Sequence, residues 1–226
     1  IKHIMENINQ IYIINLKHRT DRWDKCIKQL NKYNITRYIR FDAIKPDLNE
    51  INHIQYSKNN LRLNTNYIIG SLGCKLSHLN IIKHAKQNSF KQILILEDDF
   101  LLTDNFIHKF DSIIENINKN KKIIDMLYLG FSVVRTDPYI DTDITNLKKL
   151  RNCHTTHAYM LNEHFYNTII NEIETCYCEI DVCYASLQKK YENIYGISPC
   201  LISQQESYSD ILNKNVDYTH CITLDK

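Results

Sequence analysis

The sequence has 226 residues, 43% of them hydrophobic, and its 28 basic and 26 acidic side chains leave a net charge of +2. This composition excludes a disordered chain, a collagen-like repeat and a broadly basic nucleic-acid-binding surface, and it predicts one globular domain over residues 1–226. Only 4 glycines are present, and neither a G-x-G-x-x-G fingerprint nor a G-x-x-x-x-G-K-S/T phosphate loop can be written from their positions.

Apolar runs and helical patterns alternate through the first part of the chain. Ile11–Leu16 is a nearly continuous apolar run with β-branched residues, which is typical of a buried strand in a parallel sheet. Asp21 is expected as the N-cap of a helix that continues to Asn34, and Thr36–Phe41 follows as a second strand. Residues 45–67 are polar and have no sustained period, which predicts a long surface excursion.

The same alternation continues to the end of the chain. A helical pattern begins at Ser71, and the strand Gln92–Leu96 follows it. The remaining predicted elements are a helix over 103–118, a strand at Ile123–Leu129, a polar loop over 132–150, a strand near Ala158–Leu161, helices around 163–174 and 180–190, and a strand at Asn193–Ile197. The alternation predicts an α/β fold, a three-layer α/β/α sandwich with a mostly parallel central sheet.

Three consecutive acids, Glu97, Asp98 and Asp99, directly follow the apolar residues Ile93–Leu96. Open α/β sheets bind ligands at the carboxyl ends of their strands, so this position favours a binding site over a solvated acidic turn. Adjacent carboxylates raise one another's pKa values unless a cation neutralises them. Their hard oxygen atoms favour Mn²⁺ or Mg²⁺ over Zn²⁺.

Motifs along nearly the whole chain, from Ile11 to Ile211, resemble those of glycosyltransferase family 25, the lipopolysaccharide and procollagen galactosyltransferases. The segments that carry the resemblance read IYIINLKHRTDRW, GSLGCKLSHLNIIKHA, ILILEDDF, LYLG, HTTHAYMLN, EIDV and SQQESYSDI. The resemblance implies a GT-A fold, a UDP-sugar donor, a Mn²⁺ ion held by a D-x-D-like triplet, and inversion at the anomeric carbon.

In this resemblance the acidic triplet stands where the family has its D-x-D motif, with Glu97 in place of the first Asp. Asp99 is expected to bind Mn²⁺, or alternatively Mg²⁺, directly, and Glu97 acts through water or the ribose. Asp98 belongs to the donor site. The metal ion stabilises the departing diphosphate, for which this chain lacks the amides of a glycine-rich loop.

Three further motifs supply the other residues expected to bind the donor. Arginine suits this role because its planar fork matches phosphate oxygens. Glycine at a helix start leaves free amides that favour an anion, and Gly70 and Gly73 are expected there. The residues are Asn15, Arg19, Arg22, Gly73, Ser77, His78, Gln205, Ser209 and Asp210. Several of these residues also have an alternative role without a ligand. Arg19 and Arg22 would then be ordinary surface residues, Ser77 would pack the helix against the sheet, and His78 would be structural. Gln205, Ser209 and Asp210 would belong to a polar C-terminal loop.

Asp181 is expected to be the general base that takes the proton of the acceptor hydroxyl, because the resemblance implies an acidic residue near the acceptor. Glu179 is the second candidate for this role, and an N-cap is the alternative function of Asp181. Some GT-A families complete the metal sphere with a C-terminal histidine, so His220 is a further metal candidate, with an exposed surface histidine as the alternative.

The eight cysteines are too sparse for a disulfide scaffold, but Cys176, Cys178 and Cys183 lie close together in sequence. One hypothesis is a zinc site with His154 as the fourth ligand. The spacing is not a pair of C-x-x-C knuckles, so buried thiols or a local disulfide are favoured over zinc.

Together these features predict a Mn²⁺-dependent inverting glycosyltransferase that moves galactose or glucose from a UDP-sugar to a hydroxylysine-type collagen side chain or a saccharide. The rival hypotheses are a non-catalytic GT-A-like domain that binds a sugar or a partner, and a metal phosphohydrolase. No nucleic-acid partner is expected, and the apolar runs are far shorter than the ~20 residues that cross a bilayer.

The chain begins at Ile1 without a signal-like segment, and we expect a domain cut from a longer protein. The compartment stays open. Collagen-modifying relatives work in the endoplasmic reticulum lumen, whereas a composition rich in Ile, Asn and Lys, which have A/T-rich codons, suits a viral protein in the host cytoplasm.

Overall fold

The computed structural model describes residues 4–47, 65–133, 136–209 and 214–217. Within these ranges the α-helices are α1 (Thr20–Lys32), α2 (Thr65–Gln87), α3 (Phe106–Lys119), α4 (Tyr166–Thr175) and α5 (Ile180–Lys190). Short 3-10 helices lie at Ile4–Asn7 and Glu163–Phe165. Among the helices of the described residues, none has the length and apolar character that crossing a membrane requires.

The strands fall into one large sheet and two small pairs. They are β1 (Gln10–Asn15), β2 (Tyr38–Asp42), β3 (Gln92–Glu97), β4 (Phe100–Leu102), β5 (Met126–Ser132), β6 (Tyr139–Asp141), β7 (Leu147–Leu150), β8 (His154–Asn162), β9 (Ile194–Ile197), β10 (Ile202–Gln204), β11 (Ser207–Ser209) and β12 (Lys214–Val216). Antiparallel pairs are formed by β4 with β10 and by β11 with β12.

The large sheet has eight strands in the order β2-β1-β3-β8-β5-β9-β7-β6. β1 pairs in parallel with β2 and β3, and β5 pairs in parallel with β9. β8 is antiparallel to both β3 and β5, and β7 is antiparallel to both β9 and β6. Six of the eight strands therefore run in one direction, which confirms the predicted α/β fold with a mostly parallel sheet.

Alternate side chains of the central strands face two separate apolar cores. Ile11 and Ile13 of β1 pack in a cluster with residues of α1 and α3. Tyr12 and Ile14 pack in a second cluster with residues of α2, α4 and α5. Both faces of the sheet are thus covered by helices, as the near-continuous apolar strands predict, and the three-layer architecture is confirmed.

The prediction that a helix begins at Ser71 is wrong. α2 already includes Thr65, so Gly70 and Gly73 lie inside the helix and their amides are not the free N-terminal donors that we expected. Gly73 has a different role, because a Cβ atom at this position would lie 2.3 Å from the carbonyl oxygen of Ile44. Glycine here allows the segment after β2 to approach the helix backbone.

The prediction of a continuous polar loop over residues 132–150 is also wrong. Within it, β6 and β7 form the edge of the sheet, and Leu147 and Leu150 are fully buried. Only two apolar residues, separated by Lys148 and Lys149, mark β7, which is too short a pattern for recognition.

Several boundaries move by a few residues. The N-cap position of α1 is Arg19, so Asp21 lies in the first turn and is not the expected cap. The helix predicted to start at 103 begins at Phe106, after Asn105 in the left-handed conformation.

We expect Gly73→Ala to destabilise the protein, although alanine is the better helix former. The added Cβ collides with backbone, and overpacking costs about 1–3 kcal/mol, against a gain of about 0.5–1 kcal/mol from helix propensity. Urea denaturation followed by circular dichroism should show a lower free energy of unfolding. Asn80→Ala, at an exposed position of the same helix, is the control and should change stability little. A more stable Gly73→Ala protein would contradict the close approach of Ile44.

Candidate functional site

The acidic triplet lies at the carboxyl end of the central parallel strands. β1 and β3 are neighbours in register, with Ile14 opposite Glu97, so Asn15 at the end of β1 reaches the same edge of the sheet. Asp98 and Asp99 form the turn between β3 and β4. This edge is where open α/β sheets bind their ligands.

Asp98 is the buried anchor of the turn. It is 8% exposed, and its two carboxylate oxygens accept hydrogen bonds from the Arg22 guanidinium and, at 2.6 Å, from the Asn15 side-chain amide. Burial raises the pKa of Asp98, and these two partners oppose the shift. The structure thus brings together three of the residues expected around the donor, but their polar groups bind one another and tie α1 to the turn.

Glu97 is held by side chains from α2 and β8. Its Oε1 accepts a hydrogen bond from Thr156 Oγ1 at 2.7 Å and lies 3.3 Å from His78 Nε2. The other ring nitrogen of His78 lies 2.8 Å from the Tyr159 hydroxyl, which in turn lies 3.0 Å from the Tyr184 hydroxyl. Burial raises the pKa of Glu97, but the bonds from His78 and Thr156 bring it below its ordinary value. These bonds therefore fix the orientation of the Glu97 side chain and favour its ionised form.

A β-bulge positions Thr156. Gly130 of β5 pairs with Ala158 of β8, and Ser132 pairs with His154, so residues 155–157 lie opposite the single residue 131. Thr155 has a φ of 69°, a conformation that is unfavourable for a β-branched residue. Bulges re-aim side chains next to active sites, and Thr156, within this one, donates to Glu97. The HTTHAYMLN motif was noted in the sequence, but no role was assigned to Thr156.

One side-chain oxygen of Asp99 has a hydrogen-bond partner among the described residues, and the other has none there. Its Oδ2 accepts a hydrogen bond of 3.2 Å from Gln204 Nε2, and its backbone carbonyl accepts one of 2.7 Å from the Gln205 amide. Burial and the charges of Glu97 and Asp98 raise the pKa of Asp99 to about 7. Gln204 is a second residue that sequence reasoning missed, because only Gln205 aligned with the family motif.

Three buried oxygens around the turn have no hydrogen-bond partner among the described residues: Asn15 Oδ1, Asp99 Oδ1 and Gln204 Oε1. Leaving such an atom unsatisfied costs about 1–3 kcal/mol. A divalent cation with hard-oxygen preference, Mn²⁺ or Mg²⁺, is a partner that fits this set.

A second group near the turn has softer donor atoms. The ligand atoms of Cys74, His78 and Glu97 all lie within 4.8 Å of one another, and sulfur with imidazole suits Zn²⁺ better than Mn²⁺. Burial, followed by the charges of Glu97, Asp181 and Asp99, raises the pKa of Cys74 well above its ordinary value. Glu97 therefore belongs to both possible ligand sets.

Other residues expected at the donor have partners within the protein. Arg19 forms a two-pronged contact of 3.0 and 3.0 Å with Asp21. The Ser77 hydroxyl, fully buried, donates to the Gly73 carbonyl at 2.7 Å and accepts from the Ile44 amide at 2.9 Å. Ser77 and Gly73 therefore fasten the segment after β2 to α2.

The C-terminal motif is described only in part. Gln205 supports the turn through its amide and through its side chain, which donates to the Phe100 carbonyl at 3.1 Å. Ser209 lies in β11. Asp210 and His220 lie outside the described residues.

The two candidates for the general base lie at the start of α5. Glu179 occupies the N-cap position, and its Oε1 accepts a hydrogen bond of 3.4 Å from the Tyr67 hydroxyl. The Asp181 side chain is 38% exposed, and its Oδ2 lies 3.7 Å from His154 Nδ1. Asp181 is in the first turn and is not the N-cap. Asp181 is therefore accessible to an incoming hydroxyl group.

A cleft of ≈ 670 Å³ lies beside the small β4–β10 pair. Residues of α1, β4 and α3 line it, with three lysines among them: Lys28, Lys32 and Lys109. None of the expected donor residues lines this cleft, so its size alone does not make it the donor site.

Comparison with known proteins gives a family match over most of the chain. A model of glycosyltransferase family 25 (LPS biosynthesis protein) matches residues 8–184. Procollagen galactosyltransferase 1-A of Xenopus laevis is 26% identical over 140 residues, 58% of this chain and 22% of that protein. Procollagen lysyl hydroxylase and glycosyltransferase of Acanthamoeba polyphaga mimivirus is 26% identical over 170 residues, 68% of this chain and 18% of that protein.

Inactive glycosyltransferase 25 family member 3 of Homo sapiens is also similar, with 24% identity over 155 residues, 63% of this chain and 24% of that protein. The chain spans about a fifth of the length of these curated relatives.

We expect Arg22→Met to lower the free energy of unfolding by about 3–5 kcal/mol, because it leaves the buried Asp98 charge without its cationic partner. Adding Asp98→Asn to Arg22→Met should restore part of the loss, since the lone charge is then removed. Urea denaturation of the single and double variants measures this coupling. Arg19→Met is the control, because its exposed pair with Asp21 contributes about 0–1 kcal/mol. Additive losses in the double variant would contradict a coupled Arg22–Asp98 pair.

Proposed function

The chain belongs to glycosyltransferase family 25, and we propose that it is a metal-dependent domain that transfers galactose or glucose from a UDP-sugar with inversion. The observation that carries the proposal is the set of buried oxygens beside the acidic turn that have no hydrogen-bond partner in the described part of the chain, Asp99 Oδ1 above all. They lie at the sheet edge that binds ligands in α/β proteins, and their chemistry matches Mn²⁺ or Mg²⁺.

Asp99 and Glu97 hold the ion in this proposal, with Gln204 supplying a further oxygen. The bound ion supplies a Lewis acid that neutralises charge on the departing UDP. His78 and Thr156 orient Glu97, whose lowered pKa keeps it ionised. Asp98 and Arg22 act as positioning residues that hold the turn against α1.

The donor contacts expected from the sequence divide into three groups in this proposal. Asn15 and Arg19 stand at the exit of β1, and Arg19 can exchange its surface partner Asp21 for a phosphate oxygen. Ser209 and Asp210 are retained as donor contacts by their match to the family motif. Gly73 and Ser77 support the donor site only through their packing of α2.

Asp181 is the proposed general base for the acceptor hydroxyl. His154, whose Nδ1 lies 3.7 Å from Asp181 Oδ2, is two residues from Thr156, the hydrogen-bond partner of Glu97, and this supports a position of Asp181 near the acidic turn. Glu179 remains the second candidate.

The proposed acceptor is a hydroxylysine-type side chain of collagen-like peptides, because two of the similar proteins are named for procollagen modification. A saccharide acceptor is the alternative, supported by the lipopolysaccharide description of the family. The rival function is a non-catalytic sugar- or partner-binding domain, which the human relative named as inactive favours. The phosphohydrolase hypothesis is not pursued, because the chain matches a glycosyltransferase family over residues 8–184.

Calorimetry of UDP binding tests the metal site. We expect binding with Mn²⁺ to be at least about tenfold tighter than with EDTA, and Asp99→Asn to abolish that difference. Asp104→Asn removes the same charge from a side chain that is 94% exposed and should bind like the unaltered protein. Metal-independent UDP binding, or full binding by a folded Asp99→Asn variant, would overturn the metal proposal.

Replacing Cys74 separates the hard from the soft ligand set. Cys74→Ser should keep Mn²⁺-dependent UDP binding within about twofold, because manganese prefers oxygen ligands, and should weaken Zn²⁺ binding about tenfold or more. Titration of each metal ion alone provides the measurement. Loss of Mn²⁺ affinity in Cys74→Ser would move the functional ion to the thiol, imidazole and Glu97.

Donor turnover distinguishes the enzyme from the rival binding domain. We expect UDP release from UDP-galactose or UDP-glucose with Mn²⁺ and a collagen-like acceptor, and a fall of about 10²–10⁴-fold in kcat for Asp181→Asn with UDP affinity unchanged. The same loss in Glu179→Gln with an active Asp181→Asn would transfer the role to Glu179. No release across a panel of donors and acceptors would support the non-catalytic rival.

A further inference from the structure

The segment between α4 and α5 brings two thiols unusually close. Cys176 and Cys178 flank Tyr177, and their Sγ atoms are 2.9 Å apart. Carbon atoms in optimal contact are already about 3.5–4.0 Å apart, and sulfur is larger. An S–S bond is about 2.05 Å long. The two sulfur atoms are thus inside non-bonded contact, and a small movement brings them to the distance of an S–S bond.

Lys75 holds the segment in this shape from the neighbouring helix α2. Its ammonium group is buried, with 8% of the residue exposed. It donates hydrogen bonds to the carbonyl of Cys176 and, at 3.2 Å, to the carbonyl of Cys178. Tyr177 is 52% exposed. The Lys75 ammonium group therefore holds both carbonyls on one side of the segment. In this backbone conformation the two cysteine side chains lie together.

Cys176 is the central thiol of the group. Hydrogen bonds with Cys178 and Cys183, followed by the charge of Lys75, lower the pKa of Cys176 strongly. The thiolate is the nucleophile in thiol–disulfide exchange. Cys176 and Cys178 are half-buried, so a small reagent reaches them, whereas Cys183 is 3% exposed.

The structure gives less support to a zinc site formed by Cys176, Cys178, Cys183 and His154, the alternative considered from the sequence. Among the described residues, the cluster with metal-binding geometry consists of Cys74, His78 and Glu97, and the three thiols do not form another. The fourth ligand of that hypothesis, His154, lies beside Asp181.

We propose that Cys176 and Cys178 form a redox-active dithiol that closes to a disulfide by exchange with a small-molecule disulfide such as oxidised glutathione. The Cys176 thiolate attacks the glutathione disulfide, which gives a mixed disulfide and releases one glutathione thiolate. Cys178 then loses its proton and attacks Cys176 Sγ, which releases the second glutathione. Two protein thiols are oxidised and one glutathione disulfide is reduced to two thiols.

The dithiol directly precedes Glu179, the N-cap of α5. Its oxidation state therefore acts on the backbone that leads into the helix carrying Asp181. The inference itself concerns thiol chemistry and does not rest on the proposed glycosyl transfer.

The test is to equilibrate the whole chain with reduced and oxidised glutathione, block free thiols with N-ethylmaleimide, and digest after glutamate. Glu174 and Glu179 flank the pair, so one peptide, 175–179, contains Cys176 and Cys178 but not Cys183. In oxidising buffer we expect this peptide to lose two hydrogens and take up no maleimide. In reducing buffer it should take up two maleimides.

Variants identify the roles of the sulfur atoms. Cys178→Ser should trap glutathione on Cys176, because the resolving thiol is absent, and Cys74→Ser is the control thiol that leaves the closed pair unchanged. Cys183→Ser should also leave it unchanged. Two maleimides on the peptide after oxidation, a cross-link to the peptide containing Cys183, or zinc retained by these thiols in the reduced protein would each overturn the proposal.

Discussion

Three successive acidic residues at one strand end carry negative charges that must be stabilised. The arrangement of the site follows from the way in which each charge is stabilised. Glu97 is stabilised by side chains from α2 and β8, and Asp98 by side chains from β1 and α1. Asp99 receives one hydrogen bond from β10, and its other buried side-chain oxygen has no partner within the described ranges. Because the protein satisfies the first two charges itself, the third is where the proposed cation would complete the balance. In that proposal the triplet is one structural anchor, Asp98, between two metal-binding carboxylates.

The fold makes this division possible because the strand order gathers distant segments around β3. β1 and β8 are its direct neighbours, and β4 and β10 form a small pair beyond the turn. Each carboxylate therefore meets a different part of the chain. An acidic residue stabilised by several elements is held more rigidly than one on a free loop, which suits the proposed metal site because a ligand set needs a defined geometry.

Much of the fold could be predicted from the sequence because its central strands are long apolar runs that end abruptly. β3 and its acidic triplet are the clearest example, since both the strand and the site follow from eight consecutive residues. β7 could not be found because its buried leucines are separated by two lysines. The role of Thr156 could not be found because it depends on a bulge, which shifts the register without any local signal in hydrophobic pattern. The start of α2 was predicted wrongly because two glycines lie inside the helix. In a sequence, glycine at a close packing contact cannot be told from glycine at a helix end.

The position of β8 in the sheet also determines when the central strands can pair during synthesis of the chain. β1, β2 and β3 are complete by residue 97, but one side of β3 has no partner until residues 154–162 have been synthesised. β8 then joins this first group to β5 and β9, so the two halves of the sheet become one only through contacts far apart in sequence. Contacts of this kind slow folding, and an apolar strand with an open edge invites pairing with other chains. The interval between β3 and β8 is therefore the stage of biosynthesis at which this chain most depends on protection from aggregation.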